Sequence, residues 1–261
     1  MGKFLILSFH WFYMPFLSHV TFEEYQAIVE ASPAIILPVG SIEWHDAHLP
    51  LGLDYLKIET LAKLIADEVG CLYAPAIAFG YPKHFSNESL RGIGTICPEY
   101  DSLFRYILAL GRAFVEKDFR VIVLLTGHYE RSQVAMLKLV ARLLVDYARE
   151  RGKTLIAFCH QEADYTLGPG ISGNAREDQK RPGLEFTDGG DHAGFYETSL
   201  AHHLIPGLVR SNKVDPRYHD PDRGGAPSRD WGERWTRMIV SKATHEIRAA
   251  LNGEELPLGA G

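Results

Sequence analysis

Pro38-Val-Gly-Ser-Ile-Glu-Trp-His-Asp-Ala-His-Leu-Pro-Leu-Gly-Leu-Asp54 crowds four side chains of metal-ligand type, Glu43, His45, His48 and Asp54, into a dozen residues. The apolar run Ala34–Val39 leads straight into them, and a run of this length bounded by Pro and Gly reads as a buried strand. The ligand-type residues therefore stand where that strand ends, which is where parallel α/β sheets carry their sites. Glu43 and His45 are two residues apart, so an extended backbone turns both to the same side. The stretch is expected to build a metal site, for which the rest of the chain supplies partners.

On either side of it the pattern alternates. Thr21 and Glu24 form a capping box ahead of a helix over 22–30. Apolar residues at helical spacing from Leu56 onward predict a helix over 55–69, stopped by Gly70. A strand over 72–79, a Gly-rich loop over 80–95, a helix over 100–116 and a buried strand over 121–125 follow. Next come a helix over 132–150 closed by Gly152 and a strand over 154–159. After a charged, Gly-rich segment over 161–190, a helix opens at Asp191 and runs to Leu204, and a last helix covers 231–251. Strands alternating with such helices build an α/β fold with a mostly parallel central sheet and helices on both faces. No repeat or linker interrupts the 261 residues, so one domain is expected over 1–261, with 1–20 an N-terminal extension.

With 46% hydrophobic and 23% charged residues, the composition is that of a globular protein with a sizeable core. A formal charge of -6 leaves no basic footprint for nucleic acid. Cys71, Cys97 and Cys159 are odd in number and widely spaced, which speaks against a disulfide framework and for a reducing compartment. The apolar stretch 4–17 is broken by Ser8, His10 and Pro15 and falls short of the roughly 20 residues a membrane span needs. No small-residue cleavage site follows it. A cytoplasmic protein with neither a membrane nor a nucleic-acid partner is expected.

Polar clusters stand at three strand ends: Glu43/His45/Asp54, His128/Glu130 and Asp191/His192/Glu197. The first two place a pair two residues apart just beyond an apolar strand, where an unpaired charge is costly. Neighbouring strands of this kind aim four side chains into one crevice, with Asp54 closing over them from the loop. Three carboxylates, about -3, approach neutrality against two divalent cations, about +4, once one hydroxide bridges them. Mixed histidine and carboxylate ligation suits zinc, manganese or iron rather than calcium.

These residues also form a recognisable pattern. Pro38-Val-Gly-Ser-Ile-Glu-Trp-His, with Leu49-Pro and Asp54, resembles the signature opening of the creatininase (creatinine amidohydrolase) family. Thr126-Gly-His-Tyr-Glu130 resembles its Asn-Gly-His loop, and His192-Ala-Gly-Phe-Tyr-Glu-Thr-Ser199 its His-Ala-Gly-x-x-Glu-Thr-Ser motif. Gly94-Thr95-Ile96 fits its Gly-Thr-Ile/Leu segment, and together the motifs cover roughly residues 20 to 205. The resemblance implies a three-layer α/β/α sandwich, a dinuclear centre and hydrolysis of an amide or cyclic-amide C–N bond in a small polar molecule. It also implies a homo-oligomer, commonly a hexamer. By position, Glu43, Asp54 and His128 are implied at one metal, and His45, Asp54 and Glu130 at the other, with Asp54 bridging.

In the mechanism expected from this, a hydroxide activated between the metals attacks the carbonyl carbon, and His192 passes the proton to the leaving nitrogen. Asp191 orients that imidazole or meets the substrate, and Tyr129 and Asp188 are candidate substrate contacts. Glu197 is expected to touch substrate or support a ligand, and to bind a metal if Glu130 lies too far away. His84 can line the pocket, and His48 reads as scaffold. Thr126 departs from the family's Asn. Asp188, Gly189, Gly190 and Asp191 stand where creatinine-hydrolysing members present a Trp-Asp pair, and this points away from creatinine as substrate. The alternatives are hydrolysis of a ring C–C bond in a keto-inositol-type substrate and, from another class, a metal-dependent phosphoesterase, which no Arg cluster or phosphate loop supports.

Overall fold

Strand β1 (Ala34–Val39) is buried along its whole length, as a run without polar alternation requires. It pairs in parallel with β2 (Leu72–Tyr73) on one side and β3 (Val121–Thr126) on the other, and β3 pairs in parallel with β4 (Ile156–Gln161). The order across the sheet is β2-β1-β3-β4. The computed structural model describes residues 15–82, 94–167, 192–221, 224–254 and 256.

The period-two alternation of each strand splits the core into two layers. Ala34, Ile36, Val121, Val123, Leu125 and Phe158 face one of them, and Ile35, Leu37, Val39, Ile122, Leu124 and Cys159 the other. Helices α2 (Leu53–Val69), α6 (Phe195–Leu204) and α7 (Arg229–Asn252) cover the first layer. Helices α1 (Phe22–Ala31), α3 (Tyr100–Glu116) and α4 (Arg131–Arg149) cover the second. A short α5 (Asp164–Leu167) follows β4. The parallel sheet with helices on both faces expected from the alternation, and the α/β/α sandwich implied by the resemblance, are the architecture formed. On α2, Ile58, Leu61 and Ile65 are fully buried, each contributing about 1.5–3 kcal/mol of apolar burial. That face, more than helix propensity, holds α2 on the sheet.

The helix signals work as read. Thr21 Oγ1 accepts from Glu24 N at 3.3 Å while Glu24 Oε2 accepts from Thr21 N at 2.7 Å, closing the capping box. Gly70 ends α2 in the left-handed region at φ 78°. Several boundaries move. The strand expected over 72–79 shortens to two residues, because Pro75 brings no N–H to the ladder; Ile77 still bridges Val39. Helix α2 begins at Leu53, so Asp54 sits in its first turn and not on a loop. Strand β4 runs on through His160 to Gln161. Helix α6 starts at Phe195, three residues after His192. The expectations for residues 1–14, for His84, and for the 168–191 segment with Asp188 and Asp191 lie outside the described residues.

The topology makes a crevice. The helix after β1, α2, packs on one face of the sheet, and the helix after β3, α4, on the other. Adjacent parallel strands whose connections diverge in this way leave a cleft beyond their C-terminal ends. Two glycines let the strand exits press onto the first turn of α2. A Cβ at Gly40 would meet Tyr55 Cα at 2.4 Å, and one at Gly127 would meet the Asp54 carbonyl oxygen at 2.5 Å. Asp54 is thereby held between the two exits. Among the described residues no helix is long and apolar enough to cross a membrane.

Candidate metal centre

Glu43 and His45, just past β1, are fully buried. His45 Nδ1 donates to the Glu43 carbonyl oxygen at 3.1 Å, which leaves Nε2 as the lone-pair nitrogen turned to the centre. That Nε2 lies 3.3 Å from Asp54 Oδ1 and 3.9 Å from both Glu43 Oε1 and Glu197 Oε2. Past β3, His128 Nδ1 lies 2.7 Å from Glu43 Oε1 and 3.1 Å from Asp54 Oδ2. Asp54 therefore faces a different histidine with each oxygen. Two donor sets share it, Glu43/Asp54/His128 and His45/Asp54/Glu197, and in each the ligand atoms lie within 4.8 Å of one another. Glu43, His45 and His192 form a third such group.

The donors suit a cation. Glu43 Oε2 is buried with no hydrogen-bond donor among the described residues. Burial pushes the Glu43 carboxyl up, and His128 pulls it back only in part. Asp54 is held well below the usual carboxylate range against the effect of its burial, by His45 and His128. Buried carboxylates gathered on two imidazoles are stabilised by a bound divalent ion, and this mixture of oxygen and nitrogen donors suits zinc, manganese or iron.

Other expected residues take definite places. Glu130 is the N-cap of α4, its carboxylate accepting from the backbone N–H of Ser132 and, at 3.3 Å, of Gln133. Glu130, expected as a ligand, is thus engaged at the start of α4 and is in none of the three donor groups formed by the described residues. A carboxylate at a helix start satisfies orphan N–H groups and the positive end of the helix dipole. Glu197, expected to touch substrate or support a ligand, or to bind a metal if Glu130 lies too far away, brings Oε2 into the candidate group of His45 and Asp54. The hydroxyl of the half-buried Tyr129 accepts from Lys57 Nζ at 2.9 Å and donates to Glu162. His192 stacks on His45 with ring centroids 4.5 Å apart, and its Nε2 donates to the Trp44 carbonyl oxygen at 2.6 Å. His48, expected as scaffold, donates from Nε2 to Thr198 Oγ1 at 2.9 Å, and its ring lies 5.3 Å from that of Tyr218.

The family model described as creatinine amidohydrolase, creatininase, matches residues 18–248. The chain belongs to the creatininase family. This creatininase-family hydrolase is similar to the creatinine amidohydrolase of Pseudomonas putida, 28% identical over 266 residues that cover 93% of this chain and 97% of that one. It is also similar to the 3-dehydro-scyllo-inosose hydrolase of Thermotoga maritima, 29% identical over 110 residues, 42% of this chain and 34% of that one. A solved structure of a manganese creatininase superimposes with a TM-score of 0.71 at 25% identity, over 90% of this chain and 98% of that one. Identity at this level carries the family and the fold, not the substrate.

Two residues of the creatininase-family centre escaped the reading of the sequence. Lys57 is fully buried, with Nζ 2.8 Å from Glu162 Oε1 and 2.9 Å from Glu197 Oε1. Burial works against its charge, but Glu162 first, then Glu197 and Asp54, keep it protonated. The available signal was its spacing, three residues after Asp54 and so on the same helix face. Glu162, also fully buried, is the first residue past β4. It stands at the same C-terminal end of the sheet as His128.

The histidines predict how the metal-free protein responds to pH. Burial lowers the pKa of His45, but Asp54, followed by Glu197 and Glu43, raises it to about 9. His160 is likewise raised to about 9 against its burial, by hydrogen bonds to Asp164 and Glu246. A pKa raised on folding gives stability that is fully present below the unfolded value, about 6.5, and lost as pH rises through the folded value. Thermal melts in chelator are therefore expected to show the contribution of these two groups falling between about pH 6.5 and 9. Metal affinity should rise over the same window, because binding requires neutral imidazole. Metal affinity that fell with rising pH would contradict the ligand role of His45.

Proposed function

We propose that this creatininase-family protein is a dinuclear metal-dependent hydrolase that cleaves an amide or cyclic-amide C–N bond in a small polar molecule. The observation that supports this is Asp54, with Oδ1 toward His45 and Oδ2 toward His128, between two carboxylate–histidine donor sets. Glu43, Asp54 and His128 would hold one ion, and His45, Asp54 and Glu197 the other. Two divalent ions bound there supply Lewis acidity toward water and toward a carbonyl oxygen. The chain's own residues position and move protons. Because His192 Nε2 is committed to the Trp44 carbonyl, Nδ1 is the atom that takes up a proton and passes it to the leaving nitrogen. Stacking on His45 keeps the ring at the centre. The reading includes a single catalytic domain in a cytoplasmic homo-oligomer, a hexamer by resemblance, which light scattering of the purified protein would test.

The test of the reaction is a hydrolysis screen with metal-loaded protein on cyclic amides, formamides, inosose-type ketones and generic phosphoesters. Amide turnover that disappears on chelation and returns with manganese or zinc is expected. Turnover of phosphoesters alone, or amide hydrolysis indifferent to chelation, would overturn the proposal. In the same assay, His192→Ala should lower kcat by about 10²–10⁴ while both metal equivalents stay bound.

A further inference from the structure

We infer that Lys57, paired with Glu162, is a positioning residue that pins Glu197 so that it offers a single oxygen, Oε2, to the ion held by His45 and Asp54. The inference rests on the dinuclear reading above. An ammonium has three N–H donors. Those of Lys57 meet Glu162 Oε1 at 2.8 Å, Glu197 Oε1 at 2.9 Å and the Tyr129 hydroxyl at 2.9 Å, so all three are spent inside the protein. No donor remains for a substrate, and the surrounding acids keep the amine from acting as a base or nucleophile.

Glu197 is fixed at both ends. Its Oε1 accepts from Lys57, while Oε2 accepts from Ala193 N at 2.8 Å and is the oxygen that faces His45 Nε2. Glu43 differs: His128 is its near partner, and its Oε2 has no hydrogen-bond donor among the described residues. The two carboxylates that flank Asp54 in its two donor sets are thus held unequally, one against an ammonium and one without. Glu162 balances the charge of Lys57, so the pair adds geometry with no net charge. It also takes the Tyr129 hydroxyl, tying the ends of β3 and β4 to the first turns of α2 through one nitrogen. Groups that orient a metal ligand in this way affect metal affinity by about 10–100-fold when removed.

The experiment is stepwise titration of the chelator-stripped full-length protein with Co²⁺, followed by calorimetry and by visible absorption, in the wild type and in the double variant Lys57→Met/Glu162→Gln. Removing both charges together leaves the net charge of the buried cluster unchanged. The wild type is expected to take two equivalents. In the double variant one equivalent should bind as before, and the other about 10–100-fold more weakly with a changed cobalt spectrum. Two equivalents with unchanged affinities and spectra would overturn the role of Lys57 and leave the dinuclear reading intact. A wild type that takes only one equivalent would overturn both. Should the double variant fail to fold, Glu162→Gln alone removes one anchor of the ammonium and must weaken the same equivalent, and unchanged binding there overturns the inference equally.

Discussion

Asp54→Ala is expected to strip both metal positions at once and to lower hydrolytic activity by about three orders of magnitude or more, since metal Lewis acidity is worth several kcal/mol. Among the described residues, Asp54 alone is common to the donor sets Glu43/Asp54/His128 and His45/Asp54/Glu197. Asp54 is also almost completely buried in the first turn of α2, pressed between the exits of β1 and β3. The substitution leaves His45 and His128 without their shared counter-charge, so the metal-free variant should also melt lower than the metal-free wild type. Asp54→Asn, which keeps the shape, separates the two effects: it should retain most of the fold and still lose metal. Full occupancy by two equivalents in Asp54→Ala, read by elemental analysis after gel filtration, would mean that this carboxylate does not bridge.

Glu197 and Glu130 give the second large contrast. Glu197→Ala should cut the metal content from two equivalents to one and reduce activity by at least about 100-fold, because a direct donor is lost along with its tie to Lys57. Glu130→Ala should keep both equivalents. Its expected cost is in folding, about 1 kcal/mol for a lost helix cap, or a Tm about 2–4 °C lower for a chain of this size. Metal analysis and thermal melts of the two variants decide the matter. A lost equivalent in Glu130→Ala with both kept in Glu197→Ala would reverse the assignment. Glu197 is 1% exposed and lies beside His45, whereas Glu130 faces the first N–H groups of α4.

The different surroundings of these two glutamates mark the limit of what a sequence shows. Both follow a histidine that belongs to the site, and both precede or open a helix. A carboxylate in such a position serves equally as a metal donor or as a cap. The choice depends on which way the side chain leaves the backbone, and that follows from where the helix starts. Helix α4 starts immediately after Glu130, whose carboxylate turns to the open N–H groups. Helix α6 starts two residues before Glu197, whose carboxylate is turned into the crevice. Lys57 was hidden for a different reason. A lysine between apolar positions on a helix reads as solvated, and only the fold encloses this one, against Glu162, Glu197 and Tyr129.

By itself the sequence determined the layered α/β architecture, because unbroken apolar runs such as Ala34–Val39 are stable only inside a sheet covered on both faces. It also determined that Glu43, His45, Asp54 and His128 meet, because residues just beyond neighbouring parallel strands project into one crevice. Only the tertiary structure brings Glu197 beside His45, divides the oxygens of Asp54 between two histidines and stands an ammonium behind Glu197. Those outcomes rest on contacts between elements far apart in the chain, Lys57 with Glu162 and Glu197 above all. Such contacts leave no periodicity, because they depend on how α2, α6 and the ends of β3 and β4 pack and not on the local pattern of any one of them.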